Sequence, residues 1–305
     1  MINIGIDIGG TNIKVGLIKE EEGMATILGK LSFPFTHCDY IELCNQLEEA
    51  VDMLLAQFGY IRETLASIGL AVPGSISQDS TTLLHAYNLG YHNVPIKTEL
   101  EKHFDFIPVV MDNDANAAAV AELYGGAFSG KKSALLLTLG TGLGGGVILG
   151  GKVFNGGQNR GCEIGHLPFK SGGRDCTCGM KGCMETYTSV NWIETTGKEK
   201  MGDSFVSVRQ LIEDAKAGQP IANEIFNEYA DNLATMIAGL CSMLDPEVVA
   251  IGGGISNAGN ILFDKLEKLV EERNFYREHY PVVPAKMGND AGIIGASLLF
   301  KNNNL

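Results

Sequence analysis

Four side chains carry the plainest chemistry in this 305-residue chain. Cys176, Cys178 and Cys183 fall close together, and His166 precedes the first of them by ten positions. Zinc takes four nitrogen or sulfur donors in a tetrahedron, so the spacing reads as a Cys3His loop. With all four positions filled by protein, the metal would be structural. Cys162 competes as a ligand, and an inert or redox-active thiol cluster is the lesser alternative.

A second pattern is "LGTGLGGG", residues 139–146. Gly140, Gly142 and Gly145 fit the dinucleotide fingerprint G-x-G-x-x-G, which needs a helix directly after the glycines. Here Val147-Ile148-Leu149 and a Gly150-Gly151 turn follow, which reads as a returning strand, so that mechanism fails. No G-x-x-x-x-G-K-[ST] run occurs either. What remains is a hairpin whose bare amides and Thr141 hydroxyl can cradle an anion, or a plain tight turn. Glycine turns end three strands, at 9–12, 140–146 and 252–254, which favours phosphate. Carboxylates supply the third pattern. Asp114 follows an apolar strand and opens an Ala-rich helix, where it either caps the helix or acts as a general base. Asn113 beside it, and Asp7 at the end of the first strand, read as turn residues on their own.

These residues need elements to hold them. Residues 2–8 and 13–18 read as a hairpin around "GGTN", and 134–140 with "GVILGGKVF" repeats that layout. Helical spacing of apolar residues covers 41–58. Residues 65–74 form a strand ending in Pro-Gly, and 108–127 a strand, a polar hinge and a helix. Residues 162–185 have turn composition, 188–245 are mainly helical, and 247–256, 259–273 and 291–300 read as strand, helix and helix. Strands alternating with helices make an α/β chain. The expected division is an N-terminal lobe 1–112, with the helix at 291–305 packing back on it, and a second lobe 113–290 containing the zinc loop 162–185.

The formal net charge is −13, which disfavours binding to nucleic acid or anionic membranes. No basic segment leads into an apolar core at the N-terminus, and no run of 18 apolar residues exists, so neither a signal peptide nor a membrane span is expected. The seven cysteines, with no export signal, point to thiols and metal ligation in the cytoplasm rather than disulfides.

"GIDIGGTNIK" (5–14), "DNDANAAA" (112–119), "LGTGLGGG" (139–146), "GCEIGH" (161–166), "CTCGMKGCMET" (176–186) and "IGGGIS" (251–256) occur in this order. Together they resemble the ROK family of bacterial sugar kinases, repressors and open reading frames. The resemblance implies a two-lobed actin-like ATPase (ribonuclease H-like) fold with a cleft between the lobes. It also implies transfer of the ATP γ-phosphate to the 6-hydroxyl of a hexose. By that likeness Asp114 accepts the hydroxyl proton, and Asn113, Glu163, His166 and Glu185 hold sugar hydroxyls, with Gly74 and Asn88 as weaker candidates at the rim. Asp7 would hold magnesium through water, Gly9, Gly10, Thr11, Thr141 and Gly142 would approach the phosphates, and Gly253 and Gly254 the adenosine. The family shares the His166, Cys176, Cys178, Cys183 spacing, so structural zinc joins ATP and Mg2+ as expected cofactors. Lys14 reads as a solvated edge lysine, and His37, His85, His92 and His103 as surface or loop histidines.

Glucose is the first-choice acceptor, with N-acetylmannosamine and fructose kinases as alternatives that share most of these residues. The family's repressors carry an N-terminal helix-turn-helix domain. Here the first glycine motif begins at residue 5, which leaves a sugar-binding regulator without a DNA-binding domain as the non-enzyme alternative. The partners expected are a hexose, ATP and further copies of the chain in a homodimer or homotetramer.

Overall fold

The computed structural model describes residues 1–21, 23–159 and 161–302. Among them, no helix is long and apolar enough to cross a membrane. The chain divides into two compact units: Met1–Lys132 with Gly146–Cys162 and Lys286–Leu305, and Ser133–Gly145 with Glu163–Ala285.

The first unit is built on a five-stranded sheet. Its order is Met24–Pro34, Asn12–Glu21, Ile2–Ile8, Leu65–Val72, Val109–Asn113. The first three strands are antiparallel neighbours, and the last three run parallel. Side chains alternate across a strand. Ile4, Ile6 and Ile8 therefore share one face, where they bury with Leu43, Leu47, Val51 and Leu54 of the helix Tyr40–Phe58. Burying each such aliphatic side chain stabilises the fold by about 1.5–3 kcal/mol. That helix starts cleanly because Asp39 accepts the amides of Ile41 and Glu42 at 3.0 and 2.9 Å.

Asn3, Gly5 and Asp7 alternate onto the other face. There the helix Ala291–Asn302 lies directly on the sheet. A Cβ on Gly5 would sit 1.8 Å from the Ile293 carbonyl oxygen, and one on Gly69 would sit 1.7 Å from that of Ala296. Two glycines on neighbouring strands thus admit a helix backbone. Residues 303–305, the end of the expected helix, lie outside the described residues.

The expected division after residue 112 needs correction. Helix Asp114–Gly125 belongs to the first unit, where Ala71, Ala117 and Ala296 form a small buried cluster. The contact is tight: a Cβ on Gly295 would sit 1.7 Å from the Ala117 carbonyl oxygen. Three elements missed in the sequence also lie in this unit: the strand Met24–Pro34, the helix Ile96–His103, and a small sheet of Ser75–Ile76, Leu83–Ala86 and Tyr91–Val94.

In the second unit Ser133–Leu139, Val249–Gly252 and Val282–Pro284 run parallel, with the start of Leu143–Leu149 beyond the first of them. The expected helical stretch 188–245 resolves into Val190–Met201, Val208–Lys216 and the 25-residue Pro220–Leu244. Pro220 opens the last of these, where its missing N–H has no partner to lose.

Candidate active site

The zinc-type residues come together. His166 ends a single 3-10 turn, Ile164–His166, and Cys183 pairs with Pro168 in an isolated bridge. Cys176 Sγ lies 3.6 Å from His166 Nδ1, and Cys178 Sγ lies 3.7 Å from Cys183 Sγ. All four donor atoms lie within 4.8 Å of one another. A tetrahedron with Zn–S bonds of about 2.3 Å has edges of about 3.8 Å, so this donor set fits zinc in both type and spacing. Cys162 is not part of the cluster; its thiol points to the Phe154 carbonyl oxygen at 3.9 Å.

Glu185 opens the helix Glu185–Thr188 directly after this loop. Its Oε2 accepts the Leu143 amide at 2.9 Å, while Oε1 accepts the Cys176 thiol at 3.9 Å. One carboxylate therefore ties the cysteine loop to the glycine hairpin. Gly142 leaves room for this contact: a Cβ there would sit 2.5 Å from Glu185 Oε2 and push the carboxylate aside. Burial pushes the Glu163 carboxyl above its usual range, with His166 opposing and Glu185 adding to the rise. Two carboxylates and an imidazole thus stand close enough to feel one another's charge.

In the first unit the "DNDAN" segment turns from strand to helix. Asn113 is the N-cap: its Oδ1 accepts the amides of Ala115 and Asn116, at 2.9 and 3.4 Å. Its Nδ2 donates to the Gly74 carbonyl at 3.1 Å, which brings those two candidates together. Asp114 is the first helical residue, and its Oδ1 accepts the Ala115 amide at 2.8 Å. The capping role that the sequence left open for Asp114 belongs to its neighbour. Asn113 in turn has its oxygen committed to the helix.

Gly74 has φ of +94°, and its missing Cβ would sit 1.9 Å from the His85 carbonyl oxygen. Gly10 lies against Asn88, whose Cβ would be 3.0 Å from an added methyl. Gly9 closes the first hairpin turn by donating to the Asn12 carbonyl at 2.9 Å, and the Thr11 carbonyl accepts the Phe35 amide at 3.0 Å. The candidates from 7 to 114 are thus gathered in the first unit, and those from 141 to 254 in the second.

The second unit also holds a cavity of about 630 Å³ lined by Gly140, Thr141, Val208, Arg209, Gly254 and Asn257, among others. That volume lies in the range of about 300–1,000 Å³ usual for small-molecule sites. Gly253 has φ of +89°, and a Cβ there would sit 2.0 Å from the Leu139 carbonyl oxygen, so only glycine fits.

The ROK family profile matches residues 3–303. The chain belongs to the ROK family. It is 33% identical to a glucokinase of Halalkalibacterium halodurans over 98% of this chain and 94% of the relative. It is 32% identical to an N-acetyl-D-glucosamine kinase of Aliivibrio salmonicida over 97% of this chain and 98% of the relative. Among solved structures, a ROK family glucokinase from Streptomyces griseus in complex with glucose and AMPPNP superposes with a TM-score of 0.79 at 31% identity, covering 98% of this chain and 99% of that one. The fold is accordingly that of the actin-like ATPases.

Two readings of this ROK chain change. Lys14 is not a solvated edge lysine. Its strand is flanked on both sides, and its Nζ donates to the Asn289 carbonyl at 2.8 Å and lies 3.4 Å from Asp7 Oδ2. Burial raises the Asp7 carboxyl above its usual range, and Lys14 pulls it back. His103 is not a plain surface residue either: its Nδ1 lies 2.7 Å from Glu48 Oε2, with the side chain 16% exposed. Sequence reasoning also missed Val208, Arg209, Ile212 and Glu213, which line the cavity from the helix Val208–Lys216. They carry no glycine or carboxylate motif, and no local signal would have found them.

Proposed function

We propose that this protein is an ATP-dependent hexose kinase that phosphorylates the 6-hydroxyl of glucose. The sugar-kinase part rests on membership of the ROK family and on its glucokinase relatives. The choice of glucose rests on the carboxylate–imidazole set Glu163, His166 and Glu185, which offers acceptors and a donor to a ring rich in hydroxyls. The observation that carries the mechanism is the capping of helix Asp114–Gly125 by Asn113.

Phosphoryl transfer asks a protein for position and charge more than covalent chemistry. Asp114 stands at the positive end of a helix whose start is fixed by its neighbour, and it accepts the proton of the attacking hydroxyl. The remaining Nδ2 hydrogen of Asn113 is directed to a sugar hydroxyl, with Gly74 and Asn88 at the rim. Glu163 and Glu185 accept from ring hydroxyls. His166 gives Nδ1, the atom nearest Cys176, to the zinc set and keeps Nε2 for the sugar. The zinc donors Cys176, Cys178, Cys183 and His166 hold this loop in place. Asp7 offers hard oxygen donors suited to hydrated magnesium, which neutralises phosphate charge when bound. Gly9, Gly10, Thr11, Thr141 and Gly142 present backbone to the phosphates, and the cavity beside Gly254 takes the nucleoside.

The test is ADP release with ATP, Mg2+ and a panel of glucose, N-acetylglucosamine, N-acetylmannosamine and fructose. The highest kcat/KM is expected for glucose. No ADP release with any sugar would overturn the kinase reading, and preference for an N-acetylated sugar would overturn glucose alone.

A further inference from the structure

Next to the proposed base lies a buried polar network that the mechanism above does not use. Asp112 is 1% exposed, and among the described residues no cation is a hydrogen-bond partner of it. Its Oδ1 accepts the Asn113 amide at 2.7 Å and Asn116 Nδ2 at 2.9 Å, and its Oδ2 accepts Asn155 Nδ2 at 2.9 Å. Asn155 belongs to the segment after the glycine hairpin, and its Oδ1 accepts Asn116 Nδ2 at 3.0 Å. Asn155 Nδ2 also donates to Asn159 Oδ1 at 3.0 Å, and Asn159 Nδ2 donates to the Ser77 carbonyl at 3.2 Å. The segment folds back on itself, with Gly161 N donating to the Asn155 carbonyl at 3.0 Å. Gly161 packs against Asn116: a Cβ there would sit 3.1 Å from Nδ2. Two segments distant in sequence therefore meet on one carboxylate, and Asn159 extends the network to a third at Ser77.

A carboxylate with desolvated surroundings and no counter-ion is costly to bury. Burial pushes Asp112 above the usual carboxylate range, and the two amides and the backbone N–H oppose that rise. An apolar residue would serve a strand end better if stability were the only demand. What the arrangement fixes instead is direction. The amide of Asn113 is held by Asp112, so the peptide plane entering Asn113, one residue before Asp114, has its orientation set by that carboxylate.

We propose that Asp112 and Asn155 form a positioning pair that aims the Asn113–Asp114 step at the attacking hydroxyl. The proposal rests on the reading of Asp114 as base. Neither residue of the pair touches substrate; each acts through Asn113 and Asp114. A misplacement of about 1 Å at a reacting group costs about 100-fold in rate, which sets the expected scale.

The experiment measures kcat, KM for hexose and for ATP, and thermal unfolding for Asp112→Asn, Asn155→Asp and the double swap. Asp112→Asn places two amides face to face, and kcat should fall about 10- to 100-fold with KM for ATP unchanged. Asn155→Asp places two carboxylates about 3 Å apart in a buried site, where they share one proton. Its kcat should therefore recover as pH falls and one of the pair becomes a donor, a profile the wild type lacks. The double swap restores one donor facing one acceptor and should regain most of the lost kcat. Equal kcat in all variants below their melting temperatures, or a double swap no better than the worse single change, overturns the positioning pair. A wild-type protein that releases no ADP, or an Asp114→Asn variant with normal turnover, instead overturns the functional reading beneath it.

Discussion

Replacing Asp114 by Asn separates a base from a cap. If Asp114 capped its helix, a change to Ala would cost about 0.5–2 kcal/mol of stability, and Asn, an equally good cap, would cost nothing. The geometry gives the cap to Asn113, through Oδ1 bonds to the amides of Ala115 and Asn116. Asp114→Asn should therefore leave the unfolding midpoint close to wild type, and Asp114→Ala should cost less than the loss of the cap, about 0.3–1 kcal/mol for its charge and its bond to the Ala115 amide at the helix start. Asn113→Ala should lower stability by about 1 kcal/mol for the cap, with a further loss for the bond to the Gly74 carbonyl. Turnover should behave in the opposite sense. General-base catalysis contributes about 10²- to 10⁴-fold, or about 2.7–5.4 kcal/mol of barrier. Asp114→Asn should lose kcat by that factor while KM for the hexose changes little, since the amide keeps the shape of the carboxyl. Coupled detection of ADP, a sugar titration, and chemical unfolding of the three variants give all the quantities. Near-normal kcat in Asp114→Asn refutes the base, and a melting loss in Asp114→Ala as large as that in Asn113→Ala refutes the capping argument.

Purified protein should carry about one zinc per chain, and Cys178→Ser should lose it; metal analysis that finds none in the wild type removes the structural zinc. Gly142→Ala must displace the Glu185 carboxylate, because the new methyl would sit 2.5 Å from Oε2. If Glu185 holds a sugar hydroxyl, KM for the hexose should rise about tenfold, the loss of roughly one charge-assisted bond. An unchanged KM takes Glu185 out of the sugar site. Burial raises Asp7 in the folded state, so the native protein binds this proton more tightly than the unfolded chain does. Stability should then fall as pH rises from the ordinary value of 3.8 through the raised one, and Asp7→Asn should remove that part of the slope. Urea unfolding at a series of pH values rising from 3.8 reads this directly, and parallel slopes for the two proteins would contradict it.

Much of the site could be read from the chain because its signals are local. Ligand type and short spacing are local, and the structure brings the four donors expected together, His166, Cys176, Cys178 and Cys183, within 4.8 Å of one another. The glycines at 9–10, 142 and 253 mark places where backbone comes close to something else. Alternation in Ile2–Ile8 placed the isoleucines on one face, and with them the opposite face that carries Asp7.

Tertiary structure decided what depends on contacts between distant residues. Whether Asp114 or Asn113 caps the helix is invisible in "DND", since both residue types cap equally well; only the backbone at position 113, with φ of −62° and ψ of 147°, settles it. Lys14 reads as an edge residue in sequence because a lysine in an apolar strand looks the same at an edge as in the middle of a sheet. Its role follows from Met24–Pro34 pairing outside it and from Asn289 arriving from the far end of the chain. The boundary between the units was misplaced for a similar reason. Helix Asp114–Gly125 stays with the first unit because Gly295 and Ala117 approach too closely for any side chain between them, a contact that spans 178 positions of sequence. Composition and motif named the chemistry of this protein, and long-range packing assigned each residue its partner, because hydrogen-bond and steric contacts depend on distance in space and not along the chain.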